Sequence, residues 1–225
     1  MSVTPHIVSD VMTRTVVAVG RDALFKEIVQ TMEQWRVSAM PVLEGEGRVI
    51  GVVSEADLLP KEEFRDSDPS LLEQRRRLSD VAKAGAVTAE ELMSTPAVTV
   101  HPDATLAQAA RIMAVRHVKR LPVVDDVGML QGIVSRADLL KVFLRPDEEI
   151  EEEVRRTVVS YLFPAFSHAI HVDVHEGVVT LRGHIHDTSL ISVAVRLVRA
   201  VEGVVDVEPQ LTGEPADRDE PGSAR

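Results

Sequence analysis

The sequence predicts an α+β protein, α/β-like in its element order, in which two β-α-β-β-α units precede a small α-β-β-α-β unit. The first observation is a nine-residue motif that occurs twice, as GVVSEADLL from Gly51 and as GIVSRADLL from Gly132, at an offset of 81 residues (132 minus 51). The same offset aligns about fifty residues upstream of each copy without a gap. The second observation is a change of apolar pattern after Leu144. Because one copy alone has too little core, we expect the two copies to pack together.

The composition fits a globular chain and excludes several classes of function. Apolar residues make up 44% of the 225 residues, which suffices for a sizeable core in one or two domains. The net charge of −11 argues against broad nucleic-acid binding, which needs a basic surface, although a local basic pocket is still allowed. The absence of cysteine excludes disulfides, thiolate nucleophiles and Cys-ligated zinc. The first ten residues lack the order of a signal peptide, and no apolar run reaches the roughly 20 residues that span a bilayer, so we expect a cytoplasmic protein.

The first repeat runs from about Val8 to Leu59, and its apolar spacing gives its elements in order. Asp22 can cap a helix whose apolar residues recur at spacings of three and four. Ser54 or its neighbour can cap the last helix of the unit. The predicted elements are a strand over Val16–Val19, a helix face of Leu24, Ile28, Met32 and Trp35, strands over Val37–Leu43 and Val49–Val53, and a turn at Gly45 and Gly47.

The second repeat runs from about Glu91 to Leu144 and matches the first at turn positions as well as apolar ones. The periodicity of one amphipathic element would reproduce only the apolar matches, so the whole unit is repeated. The matches are Met93 with Met12, Val98 and Val100 with Val17 and Val19, Met113 with Met32, Val118 with Val37, Pro122-Val123 with Pro41-Val42, and Gly128 with Gly47. Between the repeats, Ser70–Lys83 is predicted to be an exposed helix, and its run of three arginines to be a solvated face.

The C-terminal region has a different order of elements and forms a unit of its own. It is predicted to begin with a helix over Asp147–Phe163 and to end before a tail rich in Gly, Pro and charge, which we expect to be disordered. The further elements are a strand over Ala169–Val174, a turn at Gly177, a strand over Val179–Gly183, a helix over Thr188–Ala200 capped by Asp187, and a strand over Val204–Leu211. The predicted domain boundaries are 1–60, 61–90 (the linker), 91–146, 147–212 and 213–225 (the tail).

The repeats resemble CBS domains in the paired arrangement known as a Bateman module. The resemblance rests on the repeated D/E-h-M-T/S opening, on Met40-Pro41-Val42 and Leu121-Pro122-Val123, and on the two G-h-V-S-x-A-D-L endings. It implies a pseudo-two-fold pair with clefts between the sheets. In the family these clefts bind adenine nucleotides or S-adenosylmethionine, and the modules pair into a flat homodimer of four CBS domains.

The chemistry of a ligand site can be argued from the residues themselves. A carboxylate accepts two hydrogen bonds and suits a ribose diol, and a serine at a helix start with free backbone N–H groups suits a phosphate. Both repeats keep both residues, as Ser54 with Asp57 and Ser135 with Asp138. The alternative is that the serines only cap their helices and the aspartates only stabilise the first turn. Recurrence in both copies fits either account.

The resemblance implies two clefts that are not equivalent, because one repeat supplies the ribose carboxylate and the other supplies basic residues before its proline. The cleft around Asp57 would then hold AMP, ADP or ATP, with S-adenosylmethionine as a further option, and the cleft around Asp138 would be empty or take a less anionic ligand. The cations assigned to the Asp57 cleft are Lys119 and Arg120, which precede Pro122, together with Arg136. The Asp138 cleft would face Ser38, Ala39 and Glu55. The apolar wall of the Asp57 cleft would be Val16, Val17, Val98 and Ile133; the alternative is that these are plain core residues. For the cations the alternative is surface solubility alone.

The C-terminal unit resembles a BON domain through Val172-x-Val174-x-x-Gly177-x-Val179-x-Leu181-x-Gly183 and the later Val201-Glu202-Gly203-Val204. The resemblance implies contact with phospholipid or envelope surfaces. The helices of this unit are not basic, which gives peripheral membrane contact little electrostatic support and favours an unidentified protein partner.

No pattern in the sequence indicates catalysis. There is no Ser–His–Asp grouping with a nucleophile elbow and no phosphate-binding loop, and the histidines from His168 to His186 do not converge on a metal site. The sequence therefore predicts a non-enzymatic nucleotide sensor that relays ligand binding to the BON-like unit. The alternatives are an interaction scaffold with unoccupied clefts and a membrane-surface protein. Trp35, the single tryptophan, is predicted to serve packing or dimer contact rather than base stacking.

Overall fold

The computed structural model describes residues 6–64, 78–165 and 167–213, and it divides the chain into two compact units. The larger unit spans His6–Leu139, and the smaller one begins at Leu140. Both mix helices with strands, which confirms the predicted α+β class. The arginine run of the linker and the C-terminal tail lie outside the described residues.

The first repeat forms a three-stranded sheet flanked by helices. Its strand order is β1-β2-β3, with β1 parallel to β2 and β2 antiparallel to β3. The turn between β2 and β3 contains Gly45 and Gly47, at φ of 57° and 124°, a region that disfavours residues with a Cβ. The elements are α1 Val8–Val11, β1 Val19–Gly20, α2 Phe25–Trp35, β2 Ala39–Glu44, β3 Arg48–Ser54 and α3 Glu55–Glu63.

Two predictions about the start of this repeat were wrong in detail. The first strand is only Val19–Gly20, because pairing with β2 begins at Val19, while Val17 packs against the core. The N-cap of α2 is Leu24 rather than Asp22, and the side chain of Glu27 accepts a hydrogen bond from the Leu24 N–H at 3.4 Å.

The second repeat follows a short helical linker. In α4, Leu78–Gly85, the chain packs back against α3. The strand that corresponds to β1 is reduced to one parallel bridge between Val100 and Val123. The remaining elements are α5 Ala89–Leu92, α6 Leu106–Val115, β4 Arg120–Val124, β5 Leu130–Ser135 and α7 Arg136–Leu139.

The two repeats are related by pseudo-two-fold symmetry, as predicted, and the backbone pairing shows it residue by residue. Among the described residues, each isolated backbone bridge between the repeats has a partner at the offset of 81. Thr13 bridges to Ile133 as Ser94 bridges to Val52. The other equivalent pairs are Ile7–Thr105 with Leu24–Thr88, and Arg48–Met129 relates to itself. The residues that follow the long helices α2 and α6 also correspond. Arg36 and His117 both have a left-handed backbone conformation, with φ of 54° and 55°.

The symmetry extends to the packing between the repeats. The side chain of Met93 lies over Gly51, and the side chain of Met12 lies over Gly132, where an added Cβ would clash with the sulfur in both cases. Glycine is therefore needed at both positions because a methionine from the other half crosses the strand there. We call the surface where these two methionines cross the seam between the repeats. The first repeat buries Ile28, Met40, Val42 and Val53, and the second buries Leu92, Met113, Leu121, Val123 and Val134.

The smaller unit is a three-stranded sheet covered by helices. Its strand order is β6-β7-β8, with an antiparallel first pair and a parallel second pair. Its core is built mainly from valine, leucine and isoleucine, with Phe163 as a buried aromatic ring. The elements are a 3-10 turn at Leu140–Leu144, α8 Asp147–Val154, a π-helical stretch at Arg155–Val159, α9 Ser160–Leu162, β6 His171–His175, β7 Val178–Ile185, α10 Leu190–Arg199 and β8 Asp206–Gly213.

Polar contacts fix the first helix of this unit to its hairpin. Asp147 accepts the backbone N–H groups of Glu176 and Gly177, at 2.8 Å and 2.9 Å, in the turn between β6 and β7. Arg145 pairs with the buried Glu153 at 2.8 Å and donates to the carbonyl of Glu202 at 2.7 Å. Among the described residues, no helix has the length and apolar character needed to cross a bilayer.

Candidate functional site

A cavity of about 460 Å³ lies within the larger unit where residues of both repeats meet. Its wall is formed by the end of β3 with the start of α3, by the chain around Ser94–Val98, and by the chain that enters β4. The lining residues are Ser38, Ala39, Val52, Ser54, Glu55, Ala56, Asp57, Leu59, Ser94, Pro96, Ala97, Val98, His117, Val118, Lys119 and Arg120.

The carboxylate of Asp57 is buried, at 8% exposure, and is held in place from several sides. Its Oδ2 accepts the Ser54 N–H at 2.8 Å and the Ser54 hydroxyl at 2.6 Å. Its Oδ1 accepts the Ser94 hydroxyl at 3.2 Å and forms an ion pair with the ammonium of Lys83 on α4. Sequence reasoning missed both partners of Oδ1. Ser94 could have been found, because it occupies the last position of the repeated D/E-h-M-T/S opening.

The cations predicted for this cleft are partly where the sequence placed them. Lys119 and Arg120 line the cavity with Asp57, and the Arg120 guanidinium donates to the Ser38 hydroxyl at 2.8 Å. Arg136 does not line the cavity, because its exposed side chain turns to the carbonyl of Val118 at 3.1 Å. Pro122 is buried within β4, paired with Ile133, and does not line the cavity either.

The predicted division of residues between two clefts was wrong for one group. Ser38, Ala39 and Glu55 were expected to face Asp138, but they line the cavity that contains Asp57. The reason is pairing within one repeat, since Ala39 pairs with Ser54 and the Glu55 N–H donates to the Ser38 carbonyl at 3.1 Å. They therefore lie beside Asp57 of their own repeat.

The predicted apolar wall also belongs to two places. Of its four residues only Val98 lines the cavity, together with Val52 and Ala97. The other three lie, with the second Ser–Asp pair, at the symmetry-related positions of the other half. The correspondence is Val16 with Ala97, Val17 with Val98, Ile133 with Val52, Ser135 with Ser54, and Asp138 with Asp57.

The alternative reading of the Ser–Asp pairs, as helix caps, is realised in the structure. Asp138 accepts the Ser135 N–H at 2.9 Å and its hydroxyl at 2.6 Å, which repeats the geometry of Ser54 and Asp57. The N–H groups of Ser54 and Glu55 are already donated, the first to Asp57 and the second to the Ser38 carbonyl. A phosphate in this cavity would therefore be held by Lys119 and Arg120 more than by the backbone at the start of α3.

The cavity thus combines three kinds of surface. Val52, Ala97 and Val98 offer an apolar face for a flat ring, and Lys119 with Arg120 offers positive charge for an anion. Glu55 adds a negative charge at the exposed start of α3. Among the described residues, no group of three or more His, Cys, Asp or Glu side chains is placed to hold a metal ion. Trp35 does not line the cavity, and its 58% exposure leaves dimer contact as the remaining prediction for it.

Sequence models of two families match this chain. The CBS domain model matches residues 8–61 and 89–145, and the BON domain model matches residues 146–215. The CBS domain-containing protein YhcV of Bacillus subtilis is 30% identical over 132 residues, which cover 59% of this chain and 81% of that protein. An uncharacterised protein of Methanocaldococcus jannaschii is 27% identical over 154 residues, covering 61% of this chain and 91% of that protein.

An enzyme and two solved structures are also similar. The inosine-5'-monophosphate dehydrogenase of M. jannaschii is 24% identical over 69% of this chain, but the match spans only 27% of the enzyme. The crystal structure of CBSX2, from Arabidopsis thaliana, in complex with AMP is 26% identical with a TM-score of 0.55, and the match covers 62% of this chain and 97% of that one. A crystal structure of another M. jannaschii protein is 27% identical with a TM-score of 0.50, covering 62% of this chain and 48% of that one.

Proposed function

This chain is a member of the CBS domain family with a BON domain at its C-terminal end, and from this we propose that it is a regulatory protein whose paired CBS repeats bind an adenosine phosphate. The single observation that carries the proposal is the cavity in which Asp57 of one repeat and Lys119 with Arg120 of the other face the same space. Its volume of about 460 Å³ lies within the range of small-molecule sites. The CBSX2 structure supports the class of ligand, since that protein is in complex with AMP.

The proposed pose assigns one part of the ligand to each kind of surface. The ribose diol is placed at Asp57, which is the carboxylate of the cavity that lies deepest in the fold. The base lies against the small apolar face of Val52, Ala97 and Val98. The phosphate lies at Lys119 and Arg120, where charge-assisted hydrogen bonds are strong.

The charges of the cavity favour a ligand with few phosphates. Three cations, Lys83, Lys119 and Arg120, lie at this site with two acids, Asp57 and Glu55, so its net charge is one positive whether or not the Lys83–Asp57 pair is formed. A monophosphate carries close to two negative charges at neutral pH. AMP therefore matches the local charge better than ATP does, and we propose AMP as the preferred ligand within this class.

Calorimetry with AMP, ADP, ATP and S-adenosylmethionine tests the proposal on the full chain. Lys119→Met and Arg120→Met should each weaken AMP binding by about tenfold or more, because a hydrogen bond to a charged group contributes about 1.5–3 kcal/mol. Arg136→Met is the matched control, since Arg136 belongs to the same repeat but its side chain lies outside the cavity. Equal losses in all three variants, or none in any, would contradict the proposed site.

The regulatory step would pass from the paired repeats to the BON domain. A ligand shifts a conformational equilibrium only by its difference in affinity for the two states. We propose that AMP binding changes the partner affinity of the BON domain, and that the chain acts as a homodimer through its CBS repeats without catalysing a reaction itself. Light scattering of the full chain with and without AMP measures the assembly state.

One observation favours a second candidate, an interaction scaffold with unoccupied clefts. The Asp57 carboxylate is already satisfied by protein groups, as it would be in a purely structural role. The scaffold reading expects no thermal shift with any adenosine ligand. The sensor reading expects about 2.7 kcal/mol of stabilisation at a ligand concentration 100 times the dissociation constant.

A further inference from the structure

Asp57 has no acceptor position left over for a ribose. An ionised carboxylate offers about four lone-pair positions. The Oδ2 atom accepts the Ser54 N–H and hydroxyl, and the Oδ1 atom accepts the Ser94 hydroxyl and the ammonium of Lys83. If this carboxylate holds the ribose, as the proposed function requires, then at least one of these four donors must leave when the ligand enters.

The four donors differ in how easily they can leave. The two from Ser54 belong to the first turn of α3, three residues from Asp57, and losing them would uncap the helix. The Ser94 hydroxyl can rotate, but it makes a single bond of 3.2 Å and also lies 3.4 Å from the Lys83 ammonium. Lys83 reaches the site from another helix on a long flexible stem, and its side chain is 19% exposed. Lys83 is therefore the donor with both a path to solvent and the largest effect on the carboxylate.

We propose that Lys83 is an internal competitor of the ligand, which occupies the ribose position on Asp57 and is displaced when the nucleotide binds. The competition lowers the apparent affinity, because the ion pair must be broken before the diol can bind. This proposal rests on the proposed function. It adds one regulatory residue, Lys83, which lies in the linker rather than in either repeat.

The same displacement couples the cavity to the linker helix. The linker helix α4 packs against α3, and two lysines tie the pair together, since Lys61 of α3 donates to the Ala84 carbonyl at 3.0 Å while Lys83 of α4 pairs with Asp57. Ligand binding breaks the Lys83–Asp57 ion pair and leaves the Lys61–Ala84 hydrogen bond in place. Because coupling is reciprocal, any partner that draws α4 away from α3 raises the affinity of the cavity for the nucleotide.

The test is calorimetry of AMP binding to the full chain carrying Lys83→Met, which keeps most of the stem and removes the charge. We expect AMP to bind about tenfold more tightly than to the natural chain, because the ligand no longer breaks an ion pair that is mostly buried. Lys61→Met is the matched comparison, since it removes the neighbouring lysine tie without touching Asp57, and its gain in AMP affinity should be clearly smaller than that of Lys83→Met. Lys83→Arg keeps a cation at the site and should bind AMP no more tightly than the natural chain.

The outcomes separate this inference from the proposed function. If the natural chain binds AMP and Lys83→Met binds it equally or more weakly, Lys83 is not a competitor, and the nucleotide site itself stands. If neither chain binds any adenosine ligand, both ideas fail. If only Lys83→Met binds AMP, the competition is strong and the inference holds.

A second measurement does not depend on a variant that folds. Amide hydrogen exchange of Leu78–Gly85 in the natural chain should become faster when AMP is added, because α4 loses its contact with Asp57. Slower or unchanged exchange in α4, at AMP concentrations that protect the cavity residues, would overturn the inference.

Discussion

The two Ser–Asp pairs of the CBS repeats have the same local geometry but different surroundings. Ser54 and Ser135 hold their aspartates with bonds that agree within 0.1 Å, at 2.8 and 2.6 Å in the first repeat and 2.9 and 2.6 Å in the second. Asp57 is buried and paired with Lys83, whereas Asp138 is half-buried. Lys83 comes from the linker helix, and the offset of 81 would place its counterpart outside the described residues. The repeat therefore sets the local geometry of both Ser–Asp pairs, and Lys83, which lies outside both repeats, adds a cation to the surroundings of Asp57.

The largest effect is expected when each carboxylate is removed in turn, which tests whether the two Ser–Asp pairs contribute differently to stability. Asp57→Ala leaves the mostly buried ammonium of Lys83 without its partner and uncaps α3, so we expect a loss of about 3 kcal/mol in the free energy of unfolding. Asp138→Ala removes a half-buried carboxylate that accepts two hydrogen bonds from Ser135, and we expect a smaller loss, of about 1–2 kcal/mol. Urea unfolding of the full chain, followed by circular dichroism, measures both losses. Equal losses would mean that the ion pair of Lys83 contributes no net stability.

The difference between the two Ser–Asp pairs also marks the limit of prediction from sequence. An offset that repeats turn residues as well as apolar ones was enough to predict two packed copies, and the family resemblance added their pseudo-two-fold relation. The resemblance also predicted one site for Asp57, Lys119 and Arg120, because the basic residues before Pro122 occur in one copy only. These three residues line the same cavity. Lys83 could not be predicted, since the charged linker has no repeat against which a functional lysine would stand out.

Other misses came from pairing that the sequence leaves undetermined. Ser38 and Glu55 were assigned to the wrong cleft, because a motif gives no indication of which side of the symmetry axis a loop faces. Arg136 follows Ser135 directly, yet its side chain turns outward to the Val118 carbonyl. Sequence spacing placed these residues near a site, but strand register and side-chain direction decided which site.

A middle-sized effect tests the symmetric part of the comparison. Gly51→Ala and Gly132→Ala each place a methyl group against a methionine that crosses the seam, Met93 in one case and Met12 in the other. Overpacking of this kind costs about 1–3 kcal/mol, and we expect the two losses to agree within about 0.5 kcal/mol. Thermal unfolding compares them, with Gly85→Ala as the control, because a Cβ at Gly85 meets no atom within 4 Å. A large loss at only one position would show that the two halves of the seam pack differently.

The smallest effect sharpens the comparison at the start of the long helices, where the capping residue differs between the repeats. Thr105 caps α6 by accepting the Gln108 N–H at 3.2 Å, and Gln108 in return accepts the Thr105 N–H at 2.9 Å. The equivalent residue of the first repeat is Leu24, which is 59% exposed and has no oxygen with which to cap α2. Thr105→Ala should therefore cost about 1 kcal/mol of stability.

Leu24→Thr gives the reverse test of the same difference. It supplies the missing cap next to Glu27, whose carboxylate already accepts the N–H of residue 24, so a reciprocal capping box can form. We expect a gain of about 0.5 kcal/mol, less than the loss at Thr105, because the bond that Glu27 makes at 3.4 Å is long. Urea midpoints of the two variants, measured against the natural chain, give both signs. Destabilisation by Leu24→Thr would mean that the apolar surface of Leu24 contributes more than a cap at this position, and the two helix starts would then differ in packing as well as in hydrogen bonding.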